Sequence, residues 1–104
     1  QPERINIAKK VLTPKELAAV NELPPERQWM GILIRFSIKE SIYKAVDPFV
    51  QRYIGFLEAE VEPQLQGLAT AALTLAQNEG QFQLDARYAW LEGRLLTSVR
   101  ARLI

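Results

Sequence analysis

The feature that most constrains the fold is a long segment without proline, which predicts one long helix. Pro24-Pro25 precedes the segment, Asp47-Pro48 follows it, and only Gly31 interrupts it. Proline favours the first turn of a helix and disfavours helical structure in the residue before it, so we expect a start near Pro25 and an end at Asp47-Pro48. A helix of roughly 20 residues must pack against much of a chain that has only 104 residues.

On a helical wheel at about 100° per residue, this helix has two largely apolar faces. One face carries Met30, Ile34, Ile38, Ser41 and Ala45, and the nearly opposite face carries Trp29, Leu33, Phe36, Glu40, Tyr43, Lys44 and Asp47. The strip left for solvent is narrow and contains Gln28, Arg35 and Lys39. We therefore expect a central, buried helix in which Glu40 is a buried carboxylate and Lys39 lies on the solvated edge.

The remaining elements follow from capping and turn patterns. Thr13-Pro14 with Glu16 predicts a short helix that ends near Asn21-Glu22, because the three residues have capping-box spacing. Leu57, Ala59 and Val61 alternate with glutamates up to Pro63, which is typical of a half-exposed strand.

Two further strands and a hairpin are predicted after Pro63. Leu68 to Ala76, bounded by Gly67 and Asn78-Glu79-Gly80, favours a strand, and Leu84–Trp90 and Leu95–Arg100 flank a turn at Leu91-Glu92-Gly93-Arg94. Helices followed by hairpin-connected strands predict an α+β fold in one unit over residues 1–104, with N-terminal helices and an antiparallel sheet of three or four strands.

Composition limits the chemistry. The chain has no cysteine and no histidine, so any metal must be held by oxygen ligands, and thiol and imidazole nucleophile systems are excluded within it. The balance of 13 Lys+Arg against 12 Asp+Glu argues against a dedicated nucleic-acid binder. The longest apolar run, Met30–Ile34, is far shorter than the roughly 20 residues of a membrane span, and we expect no membrane segment and a cytoplasmic protein.

Glu40 and Lys44, one helical turn apart, are the candidate site. A buried carboxylate needs a cation to remain charged, and Lys39 and Lys44 bracket Glu40 in a way that suits Mg²⁺ on the carboxylate and phosphate on the lysines. The alternative is a structural ion pair, since most Glu and Lys residues at this spacing form no more than that. Spacing alone leaves both hypotheses open.

The nine residues Phe36–Lys44, Phe-Ser-Ile-Lys-Glu-Ser-Ile-Tyr-Lys, resemble the signature of 4'-phosphopantetheinyl transferases. That signature is an aromatic residue, Ser, any residue, Lys-Glu, Ser or Ala, two residues, then Lys. Val11–Glu16 is similar to the family's segment ahead of this helix, and Ala89-Trp90, Gly93 and Leu96-Thr97 resemble its final hairpin. The chain looks closest to the large, two-halved branch that serves nonribosomal peptide, polyketide and siderophore synthases.

The resemblance implies Mg²⁺-dependent transfer of the phosphopantetheine arm of coenzyme A, the co-substrate, to a serine of an apo acyl or peptidyl carrier protein. By position it implies that Glu40 is a catalytic residue and metal ligand. It implies that Lys44 neutralises the pyrophosphate that is cleaved, as a catalytic and coenzyme-binding residue. It also implies that Lys39 contacts coenzyme phosphate or orients the site.

The family completes its metal site with an Asp-x-Glu pair ahead of a segment that Ile5–Lys10 resembles, and this pair is not in the sequence. We therefore expect the C-terminal half of a pseudo-two-fold enzyme, incomplete as a catalyst, whose partner is the missing N-terminal half. A second hypothesis is a noncatalytic protein-interaction domain with a structural Glu40–Lys44 ion pair. A third is a symmetric oligomer of this half, as the family's small branch forms.

Overall fold

A computed structural model describes residues 2–76 and 79–104, which form helices followed by one sheet. The elements are helices α1 (Pro2–Val11), α2 (Pro14–Asn21) and α3 (Pro25–Val50), and strands β1 (Ala59–Pro63), β2 (Leu68–Leu73), β3 (Phe82–Leu91) and β4 (Arg94–Leu103). The sheet is an antiparallel meander in the order β1-β2-β3-β4, so the predicted α+β fold is confirmed. Within the described ranges, no helix has the length and apolarity that a bilayer span requires.

Helix α3 lies between two layers. On one side its residues Ile34, Ile38, Ile42 and Val46 share a buried cluster with sheet residues Ala59, Val61 and Ala86. On the other side a second buried cluster joins α3 to α1 and α2 through Ala8, Val11, Leu12, Val20 and Ile32. Packing on two sides stabilises the helix, as two apolar faces predict. The wheel is wrong for Met30 of the first predicted face, which is exposed, and for Arg35 of the predicted solvent strip, which is buried.

The helix boundaries are partly as predicted. Thr13 and Glu16 form the predicted capping box at the start of α2, and α3 begins at Pro25. The predicted end of α3 at Asp47-Pro48 is wrong, because the helix continues to Val50 and ends at Gln51, whose φ is 59°. Pro48 costs the helix one backbone hydrogen bond. The residues after it still pack on the sheet, since the ring of Phe49 lies 5.5 Å from that of Phe82 and Val50 contacts the core. The sequence pattern does not predict helix α1, whose first residues are polar.

The hairpin of β3 and β4 has the predicted turn. Leu91 pairs with Arg94, and the two residues between them, Glu92 and Gly93, have φ values of 52° and 76°. Two successive positive φ values match a type I′ turn, for which glycine is favoured because it has no Cβ. The strand predicted over Leu68–Ala76 is confirmed as β2, which ends earlier, at Leu73, and Asn78 of the predicted turn after it lies outside the described residues.

Arg52, which follows α3, joins two loops through paired carboxylates. Its guanidinium donates to both oxygens of Glu79, over 2.5 and 2.8 Å, and to both oxygens of Glu58, over 2.6 and 3.1 Å. The Ala76 N–H also donates to Glu79, over 2.9 Å. The hydrogen bonds from Arg52, and to a smaller extent the one from Ala76, lower the pKa of Glu79 to about 2.

The Glu79 carboxyl is expected to titrate near pH 2 in the native protein, against about 4.3 in the unfolded chain. Because the folded pKa is the lower one, the stabilising contribution is present above the unfolded pKa and is lost as the pH falls through the folded pKa. An NMR titration of the carboxyl carbon measures the value. The Arg52→Gln variant should return it towards 4.3, and a wild-type carboxyl that already titrates there would contradict the structure.

Candidate functional site

The nine-residue motif Phe36–Lys44 lies in the middle of α3, and its side chains point in three main directions. Ile38 and Ile42 belong to the core shared with the sheet. Lys39 is buried towards α1 and α2, whereas Glu40 and Lys44 are exposed. Buried contacts therefore hold two sides of the helix, and the third side presents charged side chains to solvent.

Lys39 is fully buried, with 0% of its surface exposed. Its Nζ donates to Oε1 of Glu16 over 2.6 Å, to the Val11 carbonyl over 2.6 Å and to the Phe56 carbonyl over 2.9 Å. An ammonium group has three hydrogens, so each of them has an acceptor. Burial lowers the pKa of Lys39, and the hydrogen bond and charge of Glu16 oppose that shift. The prediction that Lys39 lies on a solvated edge is therefore wrong.

Glu16 supplies the charge that balances Lys39. Its Oε1 accepts from Lys39 and from the Thr13 N–H over 2.9 Å, and its Oε2 accepts from the Val61 N–H over 2.8 Å. We call Lys39 and Glu16, with the carbonyls of Val11 and Phe56 and the N–H groups of Thr13 and Val61, the Lys39–Glu16 cluster. It joins α1, α2, α3, the turn at Phe56 and β1.

The sequence carries a signal for this cluster that neither the helical wheel nor the motif reveals. Arg35 and Lys39 are one turn apart, and α3 has no acidic residue three or four positions from either. Like charges at this spacing repel each other, so two cations without a nearby acid indicate that an acid comes from another element. Both side chains are buried, and Glu16 of the capping box is that acid for Lys39.

The two serines of the motif hold α3 to the sheet. Ser41 Oγ and Thr97 Oγ1 are 2.7 Å apart, and Thr97 donates to the Ser37 carbonyl over 3.2 Å. The single hydroxyl hydrogen of Thr97 is already donated to the Ser37 carbonyl, so Ser41 is the donor in its bond with Thr97. Hydrogen bonds to β4 and the Lys39–Glu16 cluster thus fix α3 from two directions.

Glu40 is exposed, so the prediction of a buried carboxylate is wrong. The aromatic residues assigned to the same face pack on a segment after α3: the rings of Phe36 and Tyr43 lie 5.3 and 5.5 Å from the ring of Phe56. Burial raises the pKa of the Tyr43 hydroxyl, which keeps it protonated at neutral pH. The helical face predicted as one apolar surface is therefore divided into an aromatic part and a charged part that contains Glu40 and Lys44.

The described residues give Glu40 and Lys44 no ion pair with each other. The buried ion pair of α3 is Lys39 with Glu16 instead, at 2.6 Å. The structural Glu40–Lys44 pair of the noncatalytic hypothesis therefore has no support in the structure, and both charges are accessible to a ligand.

The exposed carboxylate of Glu40 suits part of a magnesium site. Carboxylate oxygen is a ligand that Mg²⁺ prefers, and the ammonium of Lys44 on the same side of α3 can contact a phosphate group. Among the side chains of residues 6–76 and 79–104, no three acidic groups converge on one point. The residues present fit one metal ligand and one phosphate contact, and further ligands must come from water, substrate or residues outside the described part.

A cleft of about 260 Å³ lies elsewhere on the protein. It is bordered by α2, α3, β1 and β2, with Lys15, Arg35, Glu60 and Glu62 among its lining residues. Neither Glu40 nor Lys44 lines it. The candidate site on α3 is therefore separate from this cleft.

Comparison with known proteins gives a family and curated relatives. The model of the 4'-phosphopantetheinyl transferase superfamily matches residues 1–99. The holo-[acyl-carrier-protein] synthase of Geobacillus kaustophilus (strain HTA426) is 35% identical over 80 residues, which are 77% of this chain and 55% of that protein. The holo-[acyl-carrier-protein] synthase of Lactobacillus helveticus (strain DPC 4571) is 40% identical over 55 residues, which are 53% and 47% of the two proteins. The chain spans about half the length of the curated relatives it matches.

Proposed function

The chain belongs to the 4'-phosphopantetheinyl transferase superfamily, and from this premise we propose that it is the C-terminal half of an enzyme that transfers the phosphopantetheine arm of coenzyme A to a carrier protein. The family match over residues 1–99 carries the transfer reaction in this proposal, and the Asp-x-Glu pair missing from the sequence supports the assignment to a C-terminal half. The names of the relatives favour an acyl carrier protein as acceptor over a peptidyl one. The two-halved branch, its peptide and polyketide pathways and the cytoplasmic location stay predictions.

In this proposal Glu40 and Lys44 act directly on the reaction. Glu40 would hold Mg²⁺, which when bound neutralises charge on the pyrophosphate of coenzyme A. Lys44 would donate to the same pyrophosphate and stabilise the negative charge that develops on the leaving phosphate. The exposure of both side chains and the absence of an ion pair between them, among the described residues, support these roles.

Lys39 has two proposed roles, and its contacts favour one of them. The family resemblance implies a contact with coenzyme phosphate or an orienting role. The three ammonium hydrogens are already bonded to protein oxygens in the described structure, which supports the orienting role. We therefore assign coenzyme phosphate to Lys44 and treat Lys39 as a residue that acts through the fold.

The reaction is a displacement at phosphorus. The carrier serine oxygen bonds to the phosphorus that bears the pantetheine arm, and the bond from that phosphorus to the bridging oxygen of the pyrophosphate breaks. Adenosine 3',5'-bisphosphate leaves with the electron pair, and the serine proton passes to a base, which is Glu40 or a water molecule in this proposal. Positioning and charge neutralisation supply most of the catalysis in such transfers.

A magnesium ion at Glu40 needs ligands beyond this one carboxylate, and we propose that they include an Asp-x-Glu pair from the N-terminal half of the enzyme. The absence of a three-acid group among the described residues supports this division. A symmetric oligomer is the alternative source, in which a second copy completes the site.

Release of nucleotide by the complete gene product tests the proposal. With apo acyl carrier protein, coenzyme A and Mg²⁺, chromatography should show one adenosine 3',5'-bisphosphate for each carrier modified. Omission of the carrier should stop the release. Nucleotide release that is independent of the carrier would show hydrolysis of coenzyme A instead of transfer and would contradict the proposed function.

A further inference from the structure

The Lys39–Glu16 cluster is placed to control the direction of the motif side chains. Lys39 directly precedes Glu40, so the two side chains leave α3 about 100° apart. Any rotation of α3 that redirects Glu40 must also move the Lys39 ammonium away from three acceptors within 2.9 Å. The orientation of Glu40 is therefore coupled to the integrity of the cluster.

We infer that Glu16 is a positioning residue for Glu40 and Lys44, acting through Lys39. The effect of Glu16 on catalysis rests on the proposed function. The effect of Glu16 on the orientation of α3 rests on its contacts alone. Glu16 is 4% exposed and lies on α2, so it acts from a different helix than the residues it positions.

The negative charge of Glu16 is what the cluster requires. It stabilises Lys39 as an ammonium, whose three hydrogens match the three acceptors, whereas a neutral amine has two hydrogens and would leave one acceptor without a donor. The two carboxylate oxygens together accept three bonds, from Lys39, Thr13 and Val61. Glutamine at this position has only one acceptor oxygen. Its amide nitrogen is a donor and would face another donor, so at least one of the three bonds would be lost.

The test compares Glu16→Gln with Val20→Ala in the complete gene product. Val20 is buried on the same helix and outside the cluster, so its truncation loses stability without a change in the contacts of Lys39. We expect Glu16→Gln to lower kcat or to raise the Mg²⁺ concentration needed for half-maximal rate by about 10- to 100-fold, since a misplacement of about 1 Å at a reacting group can cost about 100-fold in rate. Val20→Ala should retain the wild-type values at a temperature where it is folded.

Hydrogen exchange of the Phe36–Lys44 segment gives a second readout that does not depend on activity. Glu16→Gln should exchange faster there than Val20→Ala when both have similar melting temperatures. Equal exchange and equal kinetics in the two variants would overturn the inference. A wild-type enzyme without transfer activity would refute the proposed function, while the exchange comparison would still decide whether Glu16 positions α3. If Glu16→Gln does not fold, Glu16→Asp, which keeps the charge but shortens the side chain, replaces it in both measurements.

Discussion

Lys39→Met is expected to lower the free energy of unfolding of the complete gene product by about 3–5 kcal/mol, because it leaves the Glu16 carboxylate buried without its cation. The Val11 and Phe56 carbonyls would lose the same donor. Methionine is close to lysine in length and shape, so the effect reports lost charge and hydrogen bonds more than lost volume. Urea denaturation followed by circular dichroism measures the change.

Lys44→Met is the matched control for this stability effect. Lys44 is exposed on the same helix, and substitutions at such positions change stability by about 0.5 kcal/mol or less. If Lys39→Met and Lys44→Met unfolded at the same urea concentration, the buried ion pair of Lys39 and Glu16 would not exist as described.

Glu40→Gln is expected to lower the transfer rate by at least about 100-fold, because it removes the carboxylate charge that would hold Mg²⁺. The amide keeps the shape of the side chain, and the position is exposed, so the melting temperature should stay at the wild-type value. Steady-state rates with saturating carrier and coenzyme A, over a series of Mg²⁺ concentrations, measure the effect.

Asp47→Asn is the control for Glu40→Gln. Asp47 is another exposed carboxylate of α3, two turns further along, so its substitution makes the same change in charge on the same side of the helix. It should retain a rate close to that of the wild type. Equal losses in the two variants would attribute the effect to surface charge, and an unchanged rate in Glu40→Gln would remove Glu40 from the metal site.

The parts of the fold that depend on neighbouring residues could be predicted from the sequence. The capping box of Thr13 and Glu16 and the turn at Glu92-Gly93 each involve a few consecutive residues, and both are confirmed. The motif Phe36–Lys44 likewise led to the family, since its residue types and spacing are contiguous.

The surroundings of the site depend on residues far apart in the sequence and could not be predicted from the wheel. A helical wheel places Lys39 in solvent because it considers only the residues of α3. Glu16, the partner of Lys39, is 23 positions away and on another helix. The wheel places Glu40 in the interior because Glu40 falls on the same face as Phe36 and Tyr43. The rings of those two residues pack on Phe56, which lies in a later turn. Burial of polar residues was therefore decided by tertiary partners and not by the periodicity of α3.

The intact mass of the acceptor tests the central claim most directly. An apo acyl carrier protein incubated with the complete gene product, coenzyme A and Mg²⁺ should gain the mass of one phosphopantetheine arm. A carrier variant with alanine at the acceptor serine should keep its mass. A wild-type carrier whose mass stays unchanged under conditions in which the gene product is folded would contradict the assignment of this chain to a phosphopantetheine-transferring enzyme.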